Sequence, residues 1–196
     1  MNYHARMRGA YDKGVRRRQE ILDRAIEVFA ERGAEGTSLR AIGEAIGVSH
    51  AALKHYFASR EELLIEVYRA AEERSIAEDP APPEASVVGL MTHAARRNHG
   101  VPGLVQLYST LVAGALEEGH ESSREFFGAR FAQLRQFLTE RIVAEQRSGR
   151  IRPDITPEGA AALIIAASDG LQTQWLLDPA VDIEKSLELL EGLLGA

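Results

Sequence analysis

Apolar residues recur at spacings of three and four along almost the whole chain, and no stretch keeps a strict two-residue alternation, so the pattern predicts helices and no sheet. Ile21, Leu22, Ala25, Ile26 and Phe29 form the stripe of a first helix running from about Val15 to Arg32, with Gly33 as its stop. A short second stripe of Leu39, Ile42 and Ile46 starts behind the hydroxyls of Thr37 and Ser38. Gly47 ends it, because the residue past a helix end often needs a positive φ, and Val48 turns inward at the corner. Ser49 caps a third helix anchored by Leu53, Tyr56 and Phe57. Ser59 and Glu62 make a capping box that opens a fourth helix through Leu63, Leu64, Val67 and Tyr68, fading near Glu78.

Residues 79–84, DPAPPE, contain three prolines, each of which removes an amide donor, and they read as a linker or corner. Beyond it, turn signals divide the chain into five more helices, at about 84–98, 102–118, 122–148, 157–177 and 183–194. The expected fold is all-α with about nine helices. Residues 1–14, without a sustained apolar period, are expected to be a mobile arm. Residues 15–60 are expected to form an N-terminal three-helix domain and residues 61–196 a C-terminal helical bundle.

Two short helices meeting across Gly47-Val48 are the outline of a helix-turn-helix, whose second helix enters the major groove of DNA. In the third helix His50, Ala51, Lys54 and His55 project away from the apolar anchors. Charge supports that reading once it is divided. The formal net charge is −6, but residues 1–60 carry 11 Lys or Arg against 7 Asp or Glu, a net +4, and the remaining residues carry 12 against 22, a net −10. A basic end can follow phosphate while an acidic body stays off the duplex; chance clustering on solvated helix faces is the plainer explanation.

The full run, RRRQEILDRAIEVFAERG followed by GTSLRAIGEAIGVSHAALKHYFASREELL, resembles the TetR family of bacterial transcriptional regulators over residues 15–68. Aromatic Tyr56-Phe57 followed by a capped long helix is the distinctive part of the likeness. The resemblance implies a cytoplasmic regulator, by family default a repressor, that binds a palindromic operator in double-stranded DNA and leaves it when a small effector binds. By that resemblance His50, Ala51, Lys54 and His55 are candidates for base or groove contacts, and Lys54 is suited to guanine O6 or N7. Thr37, Ser38, Arg40, Ser49, Tyr56 and Arg60 fall among the DNA-contact positions, and Arg16, Arg17 and Arg18 lie where the first helix approaches the backbone. Tyr56 is equally open to a core role beside Phe57, and Arg16 to Arg18 to being a solvated helix start. The chain departs from common family usage at Ala52 and Lys54.

One reading head contacts too few base pairs to select a site, and a two-fold dimer is the usual remedy. The last two helices offer an apolar surface for it: Leu163, Ile164, Ala167, Gly170, Leu171 and Gln174 from one, Leu187, Leu190 and Leu194 from the other. Packing within one subunit would use the same residues. The middle helices are expected to enclose a mostly apolar chamber for a small apolar or amphipathic effector, with Met91, His93, Leu107, Tyr108, Leu111, Phe127, Phe131 and Trp175 as candidate lining, each of them equally compatible with ordinary core.

Without cysteine the chain can form neither disulfide nor thiolate metal site, and nothing approaches the ~20 apolar residues of a membrane span. Glu117-x-x-His120 has the spacing of carboxylate-bridged metal bundles, but such a site needs a second Glu-x-x-His. No glycine-rich phosphate cradle or serine elbow occurs, so no catalytic residue, metal ligand or cofactor is assigned. A constitutive or non-sequence-specific DNA-binding protein without an effector is the alternative reading; strong salt dependence without sequence preference would mark the non-specific form.

Overall fold

A computed structural model describes residues 3–32 and 39–195. Among the described residues the chain forms nine helices: α1 (Tyr3–Arg32), α2 (Leu39–Ile46), α3 (His50–Tyr56), α4 (Arg60–Glu78), α5 (Val87–His99), α6 (Pro102–Gly114), α7 (Glu121–Arg147), α8 (Pro157–Leu177) and α9 (Ile183–Leu194). The expected stop Gly33 and the expected DNA contacts Thr37 and Ser38 lie outside the described residues. The expected arm is corrected: α1 begins at Tyr3, because alanines, arginines and the absence of proline favour helix there even without an apolar stripe.

The head is assembled by close backbone approach. Leu39, Ile42 and Ile46 turn α2 inward, and Gly47 at φ +68° lets the chain reverse so that the Val48 amide donates to the Gly43 carbonyl at 2.7 Å. Ser49 then accepts from the Ala52 amide at 3.2 Å to start α3, whose Leu53 is fully buried, and Phe57 closes the other end of the turn against the same core. At α4 the capping box forms with a shift of one residue: Ser59 accepts from the Glu62 amide at 3.0 Å, while Glu62 reaches back to the amide of Ala58 at 2.6 Å.

Two apolar clusters fill the molecule. The first joins α1 to α4 and continues without a break into Leu107, Leu111, Ala115 and Phe127 of α6 and α7. The second is built from α5, the C-terminal half of α7, α8 and α9. Glu145, almost completely buried, accepts from the Val87 amide at 2.8 Å and so caps α5 from across the bundle. The end of α9 is pinned to the α7–α8 turn, where the Arg152 amide donates to Leu194 at 3.1 Å. No helix among the described residues is long and apolar enough to cross a membrane.

Gly43 is the tightest point in the head. A Cβ there would sit 2.5 Å from the Val48 carbonyl oxygen, which is backbone and cannot swing aside. Gly43→Ala is therefore expected to destabilise the protein by about 1–3 kcal/mol despite the roughly 1 kcal/mol gain in helix propensity, read as a lower urea midpoint. An unchanged or raised midpoint would contradict the packing described.

Candidate nucleic-acid interface and interior cavity

The outer face of α3 is built by what lies behind it. Leu53 and Phe57 are held in the core, and the helical period then places His50, Ala51, Lys54 and His55 together on the solvent side, all four exposed. A helix with its side chains is about 10–12 Å across, which matches a major groove about 12 Å wide, and the seven residues of α3 make it about two turns long. Ser49 is exposed at the start of this face. Arg40 projects from α2 beside it, paired to Glu44 across an exposed i, i+4 bridge at 3.1 Å, a link weak enough to yield to a phosphate. Arg60 is half-buried at the first turn of α4. Tyr56 is half-buried, packs on the first cluster and meets His55 edge-on with ring centroids 5.0 Å apart, so it serves the core as well as the surface.

The arginine triplet separates into three roles. Arg16 is exposed. Arg17 donates to Glu20 at 2.7 Å on the surface of α1. Arg18 donates to Glu66 of α4 at 2.8 Å with its guanidinium 5.0 Å above the Phe57 ring, bracing α1 against α4 behind the recognition helix.

Behind the head, α4 to α8 enclose a cavity of about 110 Å³. Of the expected lining residues, Met91 and Tyr108 face it. Leu107, Leu111 and Phe127 are corrected to the first core cluster, where they are buried, and Phe131 to the partly buried seam between the two clusters. His93 instead approaches the Asp79 carbonyl at 3.1 Å and the Asp79 carboxylate at 3.3 Å, clamping the end of α4. Trp175 packs edge-on against His99 at 4.7 Å.

The chamber carries more polar groups than the few expected of these helices. Ala71, Ala94, Val101, Leu104, Val105 and Leu134 supply an apolar floor, but Glu72, Arg97, Arg130, Asp169, Asn98 and Gln172 enter the same wall. Glu72 accepts from both Arg130 nitrogens at 2.6 Å, and the Tyr68 hydroxyl donates to the same carboxylate at 3.1 Å. Tyr108 donates to Asp169 at 2.9 Å. Burial raises the Tyr108 pKa far above 10 and keeps it a neutral donor. Burial also pushes the Asp169 carboxyl above its ordinary 3.8, and the Tyr108 hydrogen bond and the Arg130 charge only partly offset this. Asp169 stands alone among charged residues between Glu158 and Asp178 of an otherwise apolar stretch, which is the sequence signal that could have marked it.

Cavity and head are joined by α4 and by one polar latch. Glu61 in the first turn of α4 accepts from the Ser123 amide at 3.1 Å, with His120 Nδ1 3.2 Å away, at the start of α7. Partial burial raises the Glu61 pKa, but Ser123 and His120 outweigh it and hold the carboxyl below 4.5. His120 is thus the cap of α7 while Glu117 lies in the preceding turn, so the two do not share a helix face.

On α8 and α9 the candidate contact residues divide by face. Ile164 and Leu187 are fully buried and Leu194 is 8% exposed; all three are corrected to the second core cluster. Ala167, Leu171 and Leu190 are half-buried beside it. Leu163 and Leu177 of α8 and Leu189 and Leu193 of α9, which are 63–84% exposed, form the outward apolar surface together with Gly170 and Gln174, where a Cβ added at Gly170 would meet open space.

Comparison with known proteins agrees with this geometry at both ends. Residues 21–67 match the family described as bacterial regulatory proteins, tetR family, and residues 118–196 match the BetI-type transcriptional repressor, C-terminal. The regulator PksA of Bacillus subtilis is 27% identical over 172 residues, 84% of this chain and 80% of that protein. The repressor AcnR of Corynebacterium efficiens is 45% identical, but over 58 residues, about a third of each chain at 30% and 31%. Among solved structures, NalD, the secondary repressor of the MexAB-OprM multidrug efflux pump in Pseudomonas aeruginosa, shares the fold at a TM-score of 0.67 and 22% identity, covering 91% of this chain and 96% of that one. A regulator of Saccharomonospora viridis solved in complex with choline does so at 0.69 and 19%, covering 91% and 95%. An exposed recognition face on a glycine-cornered helix pair, together with family matches over residues 21–67 and 118–196, makes this chain a member of the TetR family of DNA-binding bacterial transcriptional regulators.

Proposed function

We propose that the protein acts as a homodimeric repressor on a palindromic operator and is released when a small molecule occupies the cavity between α4 and α8. The observation that carries this reading is the double role of α4. Its first turn joins the recognition head through Ser59 and Glu62 and α7 through Glu61, and Tyr68, Glu72 and Ser75 on the same helix form one wall of the cavity. A molecule that favours one position of α4 favours one spacing of the two heads. Palindromic half-sites require recognition helices about 34–36 Å apart, so a shift of a few ångströms spoils simultaneous docking. A tenfold loss of operator affinity needs only about 1.4 kcal/mol of difference between the two states. The Saccharomonospora viridis relative holds choline, and a cavity of about 110 Å³ suits an effector of that scale.

The dimer would form through the outward surface of α8 and α9, where Gly170 permits close helix approach and Leu163, Leu177, Leu189 and Leu193 lose water on pairing. Leu163 is 64% exposed in the subunit, so Leu163→Glu leaves the monomer core intact. It is expected to raise the dimer dissociation constant by at least about tenfold, an increase that light scattering would record as a fall towards monomer mass. A dimer mass held at the same concentrations would place the seam elsewhere.

Lys54, exposed at the centre of the recognition face, is expected to contribute about 1–3 kcal/mol to operator binding. Gel shifts with Lys54→Ala on selected and on random DNA distinguish its role: a loss confined to the selected site means base reading, an equal loss on both means phosphate contact. No loss on either removes Lys54 from the interface.

A further inference from the structure

The charges around the cavity do not all balance within the protein. Arg130 gives both terminal nitrogens to Glu72, so its own guanidinium fork is already taken. Asp169, by contrast, is answered by a neutral hydroxyl, that of Tyr108. Arg97, also in the lining, directs one terminal nitrogen to the Asp79 carbonyl at 2.7 Å. Its Nε is the one buried side-chain polar atom among the described residues that lacks a hydrogen-bond partner. A half-buried acid without a contacting cation and a buried donor without an acceptor, lining one space, are both better satisfied when a third party supplies the complements.

The aromatic groups bear on how a positive charge would be recognised. Tyr68 and Tyr108 lie 5.3 Å apart at a tilt of 35°, Tyr108 meets Phe127 at 5.7 Å, and the Arg130 guanidinium lies 5.4 Å from the Tyr68 ring. These rings already contact one another and Arg130, and a quaternary ammonium would have to compete with those contacts. What remains for a cation is the Asp169 carboxylate, which rewards N–H donors. The volume, about 110 Å³, is below the ~150 Å³ of a cavity that accepts benzene, and limits the occupant to a handful of heavy atoms.

We propose that this cavity binds a small protonated amine that also carries an oxygen acceptor, its ammonium group donating to Asp169 and its oxygen accepting the Nε–H of Arg97. The cation would relieve the upward pressure that burial places on the Asp169 carboxyl. This names the effector class for the regulatory cavity and rests on that reading of it.

The test uses the full-length protein and its Asp169→Asn variant, in which Tyr108 can still donate to the side-chain oxygen. Calorimetry and thermal shift are run with ethanolamine and glycinamide, and with propylamine, propanol and choline for comparison. Ethanolamine and glycinamide are expected to bind and stabilise the natural protein, with a loss of at least about tenfold in Asp169→Asn. Propylamine, which lacks the oxygen, and choline, which lacks N–H, are expected to bind more weakly than ethanolamine. If Asp169→Asn fails to fold, the ranking on the natural protein decides alone. The proposal is overturned if neither oxygen-bearing amine binds, if Asp169→Asn binds them equally well, or if choline or propanol outranks them. Gel shifts on the operator separate this from the regulatory reading: amine binding without DNA release keeps the site and sinks the release mechanism. Release by an anionic or neutral molecule that the amines cannot match does the reverse.

Discussion

The molecule depends on α4 remaining one unbroken helix buried along one side. Leu63, Leu64 and Val67 are at most 1% exposed and lock its first half to α1, while the same helix carries Tyr68 and Glu72 into the cavity a turn later. Nineteen residues at 1.5 Å rise make a rod of about 28 Å, which cannot bend gradually without opening the core on both sides. Under the proposed release mechanism, movement at the cavity end would be carried along this rod to the capping box beside the head.

Electrostatics set where that rod can rest. Glu72 and Arg130, half-buried and doubly bonded, form a link whose two charges have each other and the Tyr68 hydroxyl as partners. Such a pair contributes little net stability against a well-packed apolar alternative, but breaking one side is expensive, so it holds the α4–α7 contact to one arrangement. Glu61 repeats the device at the head end of the same interface, tying α4 to the first turn of α7 through Ser123 and His120. Helices α4 and α7 thus meet at two polar points separated by an apolar stretch containing Phe126 and Phe127, a geometry better suited to a discrete shift than to continuous sliding.

The head was legible in the sequence because its determinants are local. Caps at Ser49 and Ser59, the stop at Gly47 and the stripe of Leu39, Ile42 and Ile46 each act within a few residues, and helix bounds beyond the linker fell within a few positions of those seen. What the periodicity could not show was which apolar face meets which neighbour. Helix α8 has apolar residues almost all round, so Leu163 and Ile164 looked alike until the fold turned one outward and the other inward. The polar groups of the cavity were missed for a related reason. Glu72, Arg97, Arg130 and Asp169 come from four helices, and each alone has the appearance of a solvated surface charge. Arg18, in turn, shares a basic triplet with two surface residues, and only the position of Glu66 and Phe57 distinguishes it.

Helix α8 then gives the second half of the structure its logic. Ser168, Asp169 and Gln172 face the cavity, while Gly170 and Gln174 adjoin the outward apolar surface a fraction of a turn away. A helix that carries a ligand contact on one side and a subunit contact on the other transmits a displacement without any chain of side-chain rearrangements. If the seam lies where α8 and α9 present their exposed leucines, the same occupant presses on α4 within its subunit and on α8 against the partner. The two effects would alter head spacing jointly. Asn98, donating to Gln172 at 2.6 Å, connects α5 to that same helix at the cavity wall, so tightening around an occupant would draw α5 and α8 together rather than either alone.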